Sequence, residues 1–173
     1  MYAILADIHG NMYAFQNVLE DMKKFDIEGF ILLGDLIDYG MQSNAVIDYL
    51  QDELKPDVLC NLWGNHEQAI IFENFTKFSS KRGVECAQYT ASMLSDRTKE
   101  YLNTQLVKEG ISEFKLDGKK CLAVHGSLED FYWKAITPDN IYGDYSSYDI
   151  VFSGHSHFSH IFTKFYEAAD PEM

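Results

Sequence analysis

The chain has 173 residues, enough for one domain with a sizeable core and too few for two comfortable ones. Lys plus Arg number 14 against 27 Asp plus Glu, and the resulting net charge of −13 repels a nucleic-acid backbone. Hydrophobic residues make up 46% and charged residues 24%, an ordinary globular balance, and no apolar run approaches the length of a membrane span.

The chain opens on Tyr2 to Asn11, a short apolar run that leads directly into Asp7, His9 and Gly10. The run reads as a buried strand. Asp7 and His9 alternate, so an extended segment would carry both side chains to one side. Gly10 permits a sharp turn and Asn11 is a good N-cap. Met12 to Phe25 then places Phe15, Val18, Leu19, Met22 and Phe25 at helical spacing. Gly29 to Leu33 is a second apolar strand, and it ends in Gly34-Asp35 with Asp38 and Gly40 close behind. Strand, helix and strand with apolar strand runs predict a parallel βαβ start, in which ligands bind at the carboxyl ends of the strands.

A second helix is expected over Asn44 to Leu54, with Val46, Ile47 and Leu50 inward and Pro56 ending it. Val58 to Leu62 is a third strand and exits into Trp63-Gly64-Asn65-His66-Glu67. Gln68 to Glu109 reads as mainly helical, with a break near Ser79 to Gly83, and the sequence assigns it no chemistry. Asp117-Gly118 between the alternating runs Ile111–Leu116 and Lys119–Val124 is a strong hairpin signal, and the second run ends in His125-Gly126. Leu128 to Ser147 reads as a loop or short helix. Asp149 to Ser153 is another strand, ending in Gly154-His155-Ser156-His157. Ile161 to Tyr166 is expected to be a last strand, ahead of an acidic tail with Glu167, Asp170 and Glu172.

Cys60, Cys86 and Cys121 form no C-x-x-C pattern, and free thiols in a reducing compartment are expected. No signal peptide precedes the first strand, so the expected address is cytoplasmic. The basic pairs Lys23-Lys24, Lys81-Arg82 and Lys119-Lys120 read as solvated surface.

Polar residues beside glycine thus recur at five strand ends: Asp7/His9, Asp35/Asp38, Asn65/His66, His125 and His155/His157. A lone histidine is usually a satisfied core or surface residue. Carboxylates and imidazoles gathered at successive strand ends are hard to explain as packing, because such a cluster is costly to bury without cations. Mixed O and N donors suit Mn, Fe, Zn or Ni, and the absence of Cys argues against a structural zinc site.

The blocks D-I-H-G-N, G-D-L-I-D-Y-G, G-N-H-E, H-G and G-H-S-H, in this order, resemble the calcineurin-like metallophosphoesterases, and most nearly the small bacterial phosphodiesterases and diadenosine tetraphosphatase relatives. The resemblance implies one two-sheet α/β sandwich (α/β/β/α) over residues 1–173. It also implies a hydrolase of phosphomonoesters or phosphodiesters with two divalent metals. By position, Asp7, His9, Asp35 and His157 would hold one metal and Asp35, Asn65, His125 and His155 the other. His66 would be the proton donor and Asp38 its support.

Three departures stand out. Tyr39 takes the place of an Arg found in the protein-phosphatase branch, and Glu67 replaces the usual Asp, which reads as a mild change. Residues 158–173 contain no N-P-G-S loop, so a naturally short product, a more open site mouth, or closing strands from another subunit are expected. A small phosphoester partner and a homo-oligomer through the C-terminal strand follow; nucleic acid and membrane partners do not. The alternative from another class is a non-catalytic interaction scaffold of the same fold.

Overall fold

The computed structural model describes residues 1–54 and 58–166. Three strands, β1 (Tyr2–Leu5), β2 (Gly29–Leu32) and β3 (Val58–Asn61), form a parallel sheet in the order β1-β2-β3. The helices α1 (Met12–Met22) and α2 (Ser43–Asp52) are its crossovers. A second sheet has the order β4-β5-β6, from β4 (Ile111–Leu116), β5 (Lys119–Val124) and β6 (Ile150–Ser153). Here β4 and β5 are the expected antiparallel hairpin, and β6 pairs parallel to β5. Between the sheets in the chain lie α3 (Asn65–Ile71), α4 (Lys81–Met93) and α5 (Asp96–Thr104).

Strand periodicity divides the core into layers. In β2, Phe30 and Leu32 face the helices, packing with Phe15, Val46, Ile47 and Leu50. Ile31 and Leu33 face the other way and meet Ala123 of β5, Cys60 and Leu62 in a buried cluster between the sheets. Leu122 and Val124 of β5 point to the far side, where Ile136 and Tyr145 cover them. The sandwich is therefore the predicted one, but its cover over the second sheet is irregular chain rather than a helix among the described residues.

Several expectations are corrected. The first helix stops at Met22, with Lys23 as its C-cap. Only Met12, Phe15 and Leu19 of its apolar face are buried, while Val18 and Phe25 are exposed. Ile161 to Tyr166 forms no strand: Ile161, Phe162, Phe165 and Tyr166 are exposed in irregular chain that pairs with no sheet edge. Pro56 and the acidic residues Glu167, Asp170 and Glu172 lie outside the described residues. Among the described residues, no helix is long and apolar enough to cross a membrane.

Candidate metal centre

The site is built on turns. β1 ends at Leu5, and Asp7 and His9 both have left-handed backbone, with φ of 54° and 50°. The extended alternation expected from sequence is not what aligns them. Asp35, Asp38, His155 and His157 are left-handed too, at φ of 52°, 74°, 64° and 55°. Asp and His tolerate this region better than most residues, yet each such position costs about 1–3 kcal/mol and persists only where its surroundings fix it. Here the loops after β1 and β2 lock together. The Asp7 N–H donates to the Gly34 carbonyl (3.1 Å), that of His9 to Asp35 (2.9 Å) and that of Gly10 to Leu36 (2.9 Å). Glycine lets the next loop approach: a Cβ on Gly64 would lie 2.1 Å from Asp35 Oδ1.

These turns bring all the sequence-predicted ligands together. Asp7, His9, Asp35 and His157 offer donor atoms within 4.8 Å of one another, and so do Asp35, His125 and His155. Asp35 belongs to both groups. Asn65 Oδ1 lies 2.9 Å from His125 Nε2, at the edge of the second group. The ring N–H groups that face outward are held by carbonyls. His9 Nδ1 donates to Ile37 (3.2 Å) and His125 Nδ1 to Leu33 (2.6 Å), which turns both Nε2 atoms toward the cluster.

The residues fit a pair of cations. Asp35 Oδ2 is buried at the junction of the two groups, and no donor meets it with hydrogen-bond geometry. It lies 3.7 Å from His9 Nε2 and 3.3 Å from His125 Nε2. His9 Nε2 and His157 Nε2 face each other at 3.2 Å, and His157 Nε2 is 3.4 Å from Asp7 Oδ1. A buried carboxylate oxygen without a donor, ringed by imidazole nitrogens, is the environment a divalent ion satisfies. The electrostatics agree. Burial, then the neighbouring Asp35, raise the Asp7 carboxyl above its usual range. Burial lowers His9 to about 4, and burial with His125 beside it lowers His155 to about 4, so both rings are neutral and present lone pairs near pH 7. Burial opposes charge on His125, but Asp35 outweighs it and raises the ring to about 9. Asp35 itself is pushed up by burial and pulled down further by His125, ending below the carboxylate range.

Beside this cluster His66 Nδ1 donates to Asp38 Oδ2 at 2.7 Å, and both residues are buried. Burial lowers the His66 pKa, but the Asp38 hydrogen bond and the nearby carboxylates raise it more. The His66 ring centroid lies 4.7 Å from that of His9, and its backbone N–H donates to Asp35 Oδ1 (2.9 Å).

Two supports escaped the sequence reading. Thr90 Oγ1, from the middle region assigned no chemistry, donates to Asp38 Oδ1 at 2.7 Å. Nothing distinguishes this threonine from Thr76, Thr98 or Thr104 of the same region before the fold is known. The second is Glu67, whose carboxylate braces the loop that carries Asp35. It is fully buried, and its Oε2 accepts from the N–H groups of Asp35 (2.9 Å) and Gly64 (2.7 Å). Its Oε1 accepts from Leu36 (2.8 Å) and Ile37 (3.2 Å). The signal available was an acidic residue three positions after a glycine N-cap, the spacing at which a carboxylate returns to the cap N–H.

The uncharacterized protein MJ0912 of Methanocaldococcus jannaschii is 27% identical over 158 residues, covering 91% of this chain and 62% of that protein. A metallophosphoesterase structure from Sphaerobacter thermophilus matches with a TM-score of 0.68 at 24% identity, over 90% of this chain and 60% of that one. The hypothetical protein PH1004 of Pyrococcus horikoshii matches with a TM-score of 0.73 at 20% identity, over 88% and 69%. At these identities the two structures speak for the fold. The chain thus spans about 60% of the length of MJ0912 and of the Sphaerobacter protein. The family profile described as calcineurin-like phosphoesterase matches residues 2–159, a span that contains every ligand of the cluster, and the chain belongs to that family.

Proposed function

We propose that the chain is a dinuclear metal-dependent phosphoesterase acting on a small phosphomonoester or phosphodiester. The observation that carries this reading is the donorless, buried Oδ2 of Asp35 at the junction of two ligand groups. Asp7, His9, Asp35 and His157 hold one cation, and Asp35, Asn65, His125 and His155 the other. When bound, two divalent transition ions supply the positive charge that draws phosphate into an acidic protein, polarise the phosphoryl oxygens and acidify an attacking water.

The remaining roles belong to the protein. His66 points its Nε2 away from Asp38, on the side of the ring opposite the 2.7 Å hydrogen bond. It donates a proton to the departing alcohol oxygen, a contribution worth roughly 10²–10⁴-fold where that oxygen is basic. Asp38 fixes the tautomer, and Thr90 fixes Asp38. Asp35 is oriented by the His66 N–H, and the His155 N–H lies 3.1 Å from Asp7 Oδ2 and 3.2 Å from Oδ1. The scaffold alternative gains no support, since none of its expected ligand losses is found.

The test is elemental analysis of metal-replete protein together with hydrolysis of p-nitrophenyl phosphate and bis-p-nitrophenyl phosphate. Two metals per chain and chelator-sensitive hydrolysis are expected. A single metal, or hydrolysis indifferent to chelation, overturns the reading.

A further inference from the structure

The His66 Nδ1 donates to Asp38, and a single hydrogen bond at one ring nitrogen leaves the imidazole free to tilt about it. Three neighbouring rings restrict that tilt. Those of His9, Tyr39 and Phe78 have centroids 4.7, 4.5 and 5.0 Å from that of His66, at interplanar angles of 79°, 66° and 78°. Edge-to-face is the arrangement that aromatic quadrupoles favour, and it sets the inclination of one ring against the next. The His66 side chain is left only 4% exposed, so bulk water hardly reaches it. His9 belongs to the ligand cluster and Tyr39 follows Asp38 in the same loop. Phe78 comes from elsewhere, the irregular segment between α3 and α4, to which the sequence assigns no chemistry.

Phe78 has supports of its own. A Cβ on Gly83 of α4 would lie 3.2 Å from the Phe78 Cδ1, so this helix lacks a side chain where the ring rests. Trp133, from the segment after β5, meets Phe78 with centroids 5.5 Å apart at 87°, and its ring lies 6.5 Å from that of His155 at 78°. The two segments are also tied at the surface. Lys77 Nζ lies 3.5 Å from Asp130 Oδ2 and 5.6 Å from the Trp133 ring centroid, and Asp130 Oδ1 accepts from the Trp133 backbone N–H at 3.0 Å. The Trp133 Nε1 is buried without a hydrogen-bond partner among the described residues. Leaving a buried N–H unpaired costs free energy, so this indole is placed for its ring and not for its polar atom.

We propose that Phe78 is a positioning residue for the proton donor and that Trp133 holds it in place. The pair fixes the tilt of the His66 imidazole, so that its free nitrogen meets the leaving oxygen, and keeps water from that nitrogen. The identity of the proton acceptor rests on the phosphoesterase reading; the packing around His66 does not. A small misplacement of a reacting group is costly to rate even when the substrate binds as before. Loss of the pair therefore shows where the leaving oxygen needs a proton and not where it leaves as a stable anion.

Two measurements test this role. Diethyl pyrocarbonate acylates accessible neutral imidazoles, and peptide mass spectrometry reads the rate at His66. Phe78→Ala should speed that modification several-fold and Trp133→Ala less, whereas Phe78→Tyr, which keeps the ring, should match the wild type. Separately, Phe78→Ala should lower kcat for alkyl phosphates about tenfold, a part of the roughly 10²–10⁴-fold that a general acid contributes. KM should stay unchanged, as should the rate on p-nitrophenyl phosphate, and Phe78→Tyr should restore the loss. In a His66→Ala background the same substitution should cost nothing further, because both remove one contribution. Phe78→Leu keeps the apolar bulk without the ring; it should show the same split more weakly and serves where the alanine variant does not fold. Unchanged modification of His66 in Phe78→Ala, equal losses on the two kinds of ester, or a full further loss in the His66→Ala background overturns the proposal. Faster modification with no ester hydrolysed by the wild type sustains the packing role and overturns the phosphoesterase reading.

Discussion

Asp35 accepts a hydrogen bond at one oxygen and shares the other between two ligand groups, so its removal has a distinctive signature. Asp35→Asn should lose both metals together, whereas His157→Ala, which touches one group, should lose one; elemental analysis separates the two outcomes. His66→Ala should slow alkyl phosphates by roughly 10²–10⁴-fold and p-nitrophenyl phosphate far less, because nitrophenolate leaves without a proton. Equal losses on both would assign His66 to binding instead. Asp38→Asn should follow the same trend more weakly. Glu67→Gln replaces one of two accepting oxygens by a donor that faces backbone N–H groups. Each buried N–H left without an acceptor costs about 1–3 kcal/mol, so urea unfolding should show a marked loss of stability even in metal-free protein.

At the scale of elements, the strands were legible because apolar runs of alternating direction have few other uses. β2 buries Phe30 and Leu32 on one side and Ile31 on the other, with Leu33 just past its end joining Ile31, as its composition requires. The ligands were legible as residue types beside glycine, but not the left-handed backbone that aims Asp7, His9, Asp35 and His157. That conformation is imposed by bonds between loops far apart in sequence, such as His9 to Asp35. The strand expected at Ile161 to Tyr166 failed for the converse reason: an apolar run becomes a strand only where an edge is in register to receive it. Glycine at the loop junctions is open to a direct check. In Gly64→Ala the new Cβ meets Asp35 at 2.1 Å, while in Gly118→Ala it meets nothing within 4 Å and bears only the cost of its φ of 78°. Gly64→Ala should therefore lose metal and melt early; Gly118→Ala should keep its metal and lose about 1–2 kcal/mol.

Across the molecule, β1 and β6 each stand at one edge of their sheet among the described residues. A cavity of about 1010 Å³ lies between them, bordered by Ile4, Phe152 and the irregular segment through Phe162. Phe158, which lines it, stands 80% exposed, and Phe165 in the same segment 88%. Open strand edges next to exposed aromatic residues favour pairing with another copy of the chain. Light scattering over a concentration series should show mass rising above that of one chain, and Phe158→Glu with Phe165→Glu should suppress the rise. A constant single-chain mass at every concentration would show that this surface does not self-associate.

The cross-bonded turns that carry the ligands have one more consequence. Their backbone is tied by the Asp7, His9 and Gly10 N–H bonds to the neighbouring loop, so Asp7, His9 and Asp35 can adjust to an arriving ion only by turning their side chains. A ligand set whose backbone cannot shift sorts ions of equal charge and similar ligand preference by their radius. Geometry then discriminates where intrinsic affinity does not.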